Sequence, residues 1–226
     1  MESNKKAIII TGAIGGWYAK GAQRLERSLI FHGYAYDFKV FDSLPAEYDQ
    51  DCPYNIKAAA FEWAVNEGYE IILWLDASFW ALRDVHPMLD IINGKGYYMG
   101  MSGYNCAQTC SDNQLKYFGI SRDQAELTVE TSSGIMGFNI ENPKGKEFVQ
   151  QFISAAKDGA FKGSRLHDNQ SNDPRFLFCR QDQSCASIIA DKLGMELTPF
   201  GEHVAYYPEG SDKSILDKVI FTLRGM

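Results

Sequence analysis

No apolar run in this 226-residue chain is long enough to span a bilayer. Asp76 and Arg83 interrupt the longest candidate, and a spanning helix needs roughly 20 apolar residues in succession. The early stretch Ala7-Ile-Ile-Ile10 is shorter than the apolar core of a signal peptide. Basic residues are also scarce, with 22 Lys and Arg against 29 Asp and Glu and a net charge of −7. No dense Lys/Arg stripe is present to neutralise a nucleic-acid backbone, so nucleic acid is not an expected partner. Cysteines are few and odd in number: Cys52, Cys106, Cys110, Cys179 and Cys185. Such a scattered set reads as reduced thiols rather than a disulfide framework. Cys106-x3-Cys110 has no second Cys or His pair at zinc-finger spacing. Repeats, low-complexity tracts and linkers are absent as well. With 45% hydrophobic residues, the expectation is a soluble, cytoplasmic protein folded as a single domain over 1–226.

Strand-like and helix-like segments alternate along the chain. Lys6 to Thr11 reads as a strand, Gly12 to Gly16 as a loop, and Ala19 to His32 as a helix that Gly33 stops. Tyr36 to Phe41 is a second strand, and Pro53 suits the first turn of a helix ending near Asn66. The run Ile71-Ile-Leu-Trp-Leu75 reads as a strand buried on both faces. A short helix at Val85 to Ile92 and a strand at Tyr97 to Met101 follow. Residues 102–131 are polar and weakly periodic, so loops and short helices are expected there. Further elements are a strand at Gly134 to Ile140, a helix at Pro143 to Lys157, a turn-rich stretch at Gly163 to Pro174 and a helix at Gln181 to Leu193. The tail offers a strand at Val204 to Tyr207 and a helix at Lys213 to Leu223. This order predicts an α/β fold, Rossmann-like, with a mostly parallel sheet flanked by helices.

Four segments carry chemistry. The first is Asp76-Ala77-Ser78, which closes the Ile71–Leu75 run. Ligands of open α/β sheets bind beyond the carboxyl ends of such strands, so Asp76 stands where a site is built; capping the next turn is the plain alternative. The second is Thr11-Gly12-Ala13-Ile-Gly-Gly16, whose glycines free the backbone to approach a phosphate. This loop resembles that of extended short-chain dehydrogenases, but Tyr18 stands at the last glycine position and no Tyr-x-x-x-Lys pair follows. The third is Lys57, a cation among Ile56 and Ala58 to Phe61, unusual company for a surface charge. The fourth pairs the small-residue segment Ser132-Ser133-Gly134 with Asp182-Gln183 at a helix start.

In this order the segments resemble GT-A fold glycosyltransferases, nearest in motif order to the glycogenin-like and bacterial galactosyltransferase-like branch. The resemblance spans roughly residues 6–207 and implies sugar transfer, of the hexosyltransferase kind, from a nucleoside diphosphate sugar, a UDP-sugar in the first instance. It implies that Asp76 holds Mn²⁺ or Mg²⁺ on the diphosphate and that Lys57 contacts the donor. Ser132 and Ser133 would line the sugar pocket, with Asp182 and Gln183 at the reacting centre. Thr11, Gly12 and Ala13 would meet the nucleotide through backbone groups. Ser78 stands where the family commonly has a second Asp, and His203 is the candidate for its C-terminal metal ligand; His167 is the other His of this half. A non-catalytic nucleotide-sugar or carbohydrate-binding protein on the same fold is the alternative, and an NAD(P)-dependent dehydrogenase a third. The acceptor is left open.

Overall fold

The computed structural model describes residues 6–35, 37–162, 171–209 and 213–224. Tyr36, His167 and most of the Gly163–Pro174 stretch lie outside the described residues.

Strands β1 (Ala7–Gly12), β2 (Asp37–Phe41), β3 (Ile71–Leu75), β5 (Tyr97–Asn105) and β6 (Val129–Asn139) form one sheet in the order β2-β1-β3-β6-β5. The pairs β1–β2 and β1–β3 are parallel; β6 runs antiparallel to both β3 and β5. Four of the five strands therefore point the same way, which is the mostly parallel sheet the sequence predicted. The core strands alternate between two faces. Ile8, Ile10, Ile72 and Trp74 pack on one side with α2 (Ile56–Asn66), α7 (Pro143–Lys157) and α8 (Gln181–Lys192). Ile9, Ile71, Leu73 and Leu75 pack on the other with α1 (Gly16–Phe31) and α3 (His86–Lys95). Burial on both faces explains the unbroken apolar runs of β1 and β3.

A second, three-stranded sheet has the order β4-β8-β7, from β4 (Phe79–Ala81), β7 (Val204–Tyr206) and β8 (Phe221–Leu223). Phe79, Val204 and Phe221 add to the core on the α1 and α3 side. The tail corrects one expectation. Lys213 to Leu223 is not a helix; a 3-10 turn at Ser214–Asp217 leads into β8. The spacing of Ile215, Leu216, Val219 and Ile220 mimics a helical face. The tail instead buries Val219, Ile220 and Phe221 and pairs Phe221 with Ala81 and Val204, and tertiary pairing of this kind overrides local pattern.

The polar stretch 102–131 contains three short helices: α4 (Cys106–Thr109), α5 (Asp112–Phe118) and α6 (Arg122–Leu127). Each starts with a capping box, from Asn105, Ser111 and Ser121 respectively. Its two ends are strand, because β5 and β6 extend to Asn105 and Val129 with register shifts between them. All five cysteines are free and buried, and burial pushes the Cys110 and Cys185 thiols well above their ordinary range. No helix among the described residues is long and apolar enough to cross a membrane.

Candidate functional site

The carboxyl ends of β1 and β3 open into a cavity of about 580 Å³. Gly12, Lys57, Asp76, Ser78, Ser133, Arg180, Asp182 and Gln183 are among its lining residues. Each is delivered by a different local cause. Asp76 follows the last residue of β3, and its N–H donates to Gly134 O at 2.8 Å, which extends the ladder and fixes the turn. Two residues earlier on the same face, Trp74 Nε1 donates to Asp76 Oδ1 at 2.8 Å. Gly12 is small because the Trp74 indole lies over it; a Cβ there would sit 2.9 Å from the ring. Lys57 occupies the first turn of α2, a helix apolar on nearly every side. With Ala58, Ala59, Ala60 and Phe61 packed in the core, its ammonium reaches polar company only at the cavity.

There Lys57 meets four oxygens. Its Nζ donates to Ser133 O at 3.0 Å and to Ser133 Oγ at 2.9 Å. It also lies 2.9 Å from Asp182 Oδ2 and 3.4 Å from Asp76 Oδ1. The Asp182 contact lacks hydrogen-bond direction, so it is an ion pair and the carboxylate oxygen keeps an open hydrogen-bonding position. Burial alone would lower the Lys57 ammonium, but the Asp182 and Asp76 carboxylates outweigh it and hold the group above the ordinary lysine range. The cluster of one ammonium and two carboxylates carries a net charge of −1.

Helix α8 begins under strain. Gln181 has φ of 40°, left-handed for a residue with a side chain. Its carbonyl is held by Gln114 Nε2 at 2.8 Å, and the turn aims Asp182 and Gln183 into the cavity. Gln183 Oε1 accepts from Ser133 N at 3.2 Å. Arg180 Nε, Asp182 Oδ2 and Gln183 Nε2 are buried without a hydrogen-bond partner. Buried polar atoms are normally satisfied, so three such atoms on one cavity wall mark a place arranged for a ligand.

The structure thus brings Gly12, Lys57, Asp76, Ser78, Ser133, Asp182 and Gln183 around one space. Other candidates are apart from it. Thr11 and Ala13 are buried behind the cavity wall, and Ala13 N donates to Phe41 O. Ser132 pairs with Gly100 and is not among the lining residues. His203 precedes β7 on the second sheet, edge-on to Tyr98 at 5.7 Å, and does not line the cavity either. Sequence reasoning missed Arg180 and Glu130, which lie 3.9 Å apart. Glu130 sat inside a stretch read as loops and short helices, and only the packing of α8 on β6 joins the two.

Among the described residues no group of three His, Cys, Asp or Glu could hold a metal. Asp76, with its side chain 39% exposed, is the cavity-facing carboxylate not already enclosed by protein. A divalent cation fits here only as an ion shared with a bound phosphate, the usual manner for Mg²⁺, which takes one or two carboxylates and substrate oxygens. A second cavity of about 650 Å³ lies at the opposite end of β3, lined by Val65, Tyr69, Glu70, Ile140, Glu141 and Lys146 among others.

No protein-family model matches the chain, and no curated protein sequence does. Solved structures do. One is a glycosyltransferase involved in the glycosylation of the major capsid of PBCV-1, with a TM-score of 0.55 and 12% identity over 96% of this chain and 92% of that one. Another is the bifunctional glycosyltransferase WbbM in its apo form, with a TM-score of 0.54 and 12% identity over 99% of this chain. The chain spans about half of WbbM, 46% of its length. At this identity the likeness is one of fold: the chain is built on the same framework as these two glycosyltransferases.

Proposed function

We propose that the chain is a glycosyltransferase that moves a sugar from a nucleoside diphosphate sugar, a UDP-sugar in the first instance, to an acceptor. The observation that supports this most is the Lys57–Asp76–Asp182 cluster at the carboxyl end of β3, buried at Lys57 and Asp182 and open at Asp76. It stands in a cavity large enough for a nucleotide sugar, where ligands of open α/β sheets bind. Asp182 and Gln183 present unpartnered polar atoms that suit the hydroxyls of a donor sugar. Ser133, tied to both Lys57 and Gln183, sets the floor of that pocket. Lys57 fixes the carboxylates of Asp76 and Asp182 relative to one another, so the site is organised before substrate arrives.

Departure of the diphosphate develops negative charge that needs stabilisation. Asp76, with Ser78 beside it, would hold Mn²⁺ or Mg²⁺ against the diphosphate oxygens, where such an ion supplies Lewis-acid stabilisation of the leaving group. Asp182 orients the donor sugar or the acceptor hydroxyl through its open oxygen. A thermal-shift screen of nucleotide sugars with and without Mn²⁺ tests the reading. The expected result is a rise in melting temperature with UDP or a UDP-sugar that increases with metal. A shift with NAD(P)H and none with UDP contradicts it. UDP binding indifferent to metal, with no turnover of any donor, favours a non-catalytic binding protein on the same fold.

A further inference from the structure

We propose that Arg180, and not Lys57, is the side chain that receives the diphosphate of the donor. The assignment rests on the nucleotide-sugar reading above and deepens it. Lys57 and Arg180 are the cationic residues lining the cavity. An ammonium has three donors. Lys57 donates to Ser133 O and Ser133 Oγ within 3.0 Å and is ion-paired with Asp182 Oδ2 at 2.9 Å and Asp76 Oδ1 at 3.4 Å. Ser133 takes two of the three donors, two carboxylates offset the ammonium charge, and the net charge of the cluster repels a phosphate.

Arg180 is the opposite case. Its guanidinium lies 5.1 Å from the ring of Tyr104 and 4.9 Å from that of Phe178. The two rings meet edge to face at 5.2 Å, so they form a corner that holds the plane of the guanidinium. Its nearest carboxylate, Glu130, is 3.9 Å from Nη1, beyond hydrogen-bond reach. Nε is buried and without a partner. Stacking on aromatic faces fixes a guanidinium without consuming its N–H groups. The result is a pre-positioned fork with unfilled donors, the geometry that takes phosphate oxygens two at a time. Arg180 also precedes the strained Gln181, so the turn that aims Asp182 at the sugar places the guanidinium on the same wall. A carboxylate of an acidic sugar shares this anion chemistry, and the test separates the two.

The experiment is calorimetric titration of the full chain with UDP, uridine, inorganic pyrophosphate and glucuronate, each in EDTA and again with Mg²⁺. Arg180→Gln is expected to weaken UDP and pyrophosphate about ten-fold or more, since hydrogen bonds to a charged group are lost, and to leave uridine unchanged. Arg180→Lys, which keeps the charge without the fork, is expected to fall between. If Arg180→Gln melts early because Glu130 is left alone, Arg180→Gln combined with Glu130→Gln removes both charges and is titrated instead. UDP affinity of the folded variant within about two-fold of wild type overturns the assignment. So does an equal loss for uridine, or a loss confined to glucuronate. Wild-type protein that binds neither UDP nor pyrophosphate overturns the donor reading itself, and the assignment with it.

Discussion

Replacing Lys57 by Met removes a buried ammonium and keeps most of its apolar stem. In the wild type the Lys57 side chain is 10% exposed and that of Asp182 only 5%. The substitution leaves Asp182 as a buried carboxylate with no counter-charge at 2.9 Å, and breaking a buried pair from one side costs about 3–5 kcal/mol. Asp76 is 39% exposed, so water covers part of its loss and it adds at most about 1 kcal/mol. For a chain of this size each kcal/mol lowers the melting temperature by about 2–4 °C. A fall of about 6–24 °C at neutral pH is therefore expected, read by circular dichroism. Combining Lys57→Met with Asp182→Asn removes the orphaned charge and is expected to recover most of the loss. The alkaline limb gives an independent check. The folded Lys57 ammonium titrates above the ordinary lysine value, so its contribution is complete below about pH 10.4 and lost as pH rises through the folded value. The stability gap between wild type and Lys57→Met should narrow above about pH 10.4 and stay constant from there down to neutrality. A single variant within about 1 kcal/mol of wild type, or a double variant no better than the single, refutes the reasoning.

Gly21→Ala should separate α1 from the turn after β3. A Cβ there would lie 2.3 Å from Ala77 O and 2.8 Å from Trp17. Such crowding costs about 1–3 kcal/mol, more than the gain of up to about 1 kcal/mol from better helix propensity, and a lower melting temperature with weaker donor binding is the expected reading. Glu130→Gln should change the acid side of the stability curve. Burial raises the Glu130 carboxyl above its ordinary range, and hydrogen bonds from Ser102 and Thr109 and the charge of Arg180 only partly pull it back. A raised carboxyl contributes fully below the unfolded value of about 4.3 and loses that contribution as pH rises through the folded value. The variant should gain on wild type as pH climbs from about 4 towards neutrality; parallel urea-denaturation curves across that range would rule this out.

The centre of the site was legible because its signals are local. A short unbroken apolar run reads as a strand covered on both faces, so the residue that ends it, Asp76, lies at the carboxyl end of the sheet. Lys57 stood out because α2 offers a charge no polar neighbour of its own. The partners that explain both residues were not local. Lys57 and Ser133 are 76 positions apart, and Arg180 and Glu130 are joined only by the packing of α8 on β6. No periodicity encodes such contacts. The tail misled for the reverse reason, since its apolar spacing fitted a helix while its partners, Ala81 and Val204, come from other parts of the chain. Gly12 was read as freedom for a phosphate; the indole of Trp74 is what requires it.

Under the proposed function, Asp76 stands at the donor diphosphate in a working transferase. The direct measurement is release of UDP from UDP-sugars by wild type and by Asp76→Ala, with Mn²⁺ and with EDTA, after confirming that the variant melts near wild type. Wild type is expected to turn over, and the variant to lose about a hundred-fold or more, the scale seen when a charge-stabilising group is removed. Equal turnover by the two proteins would contradict it.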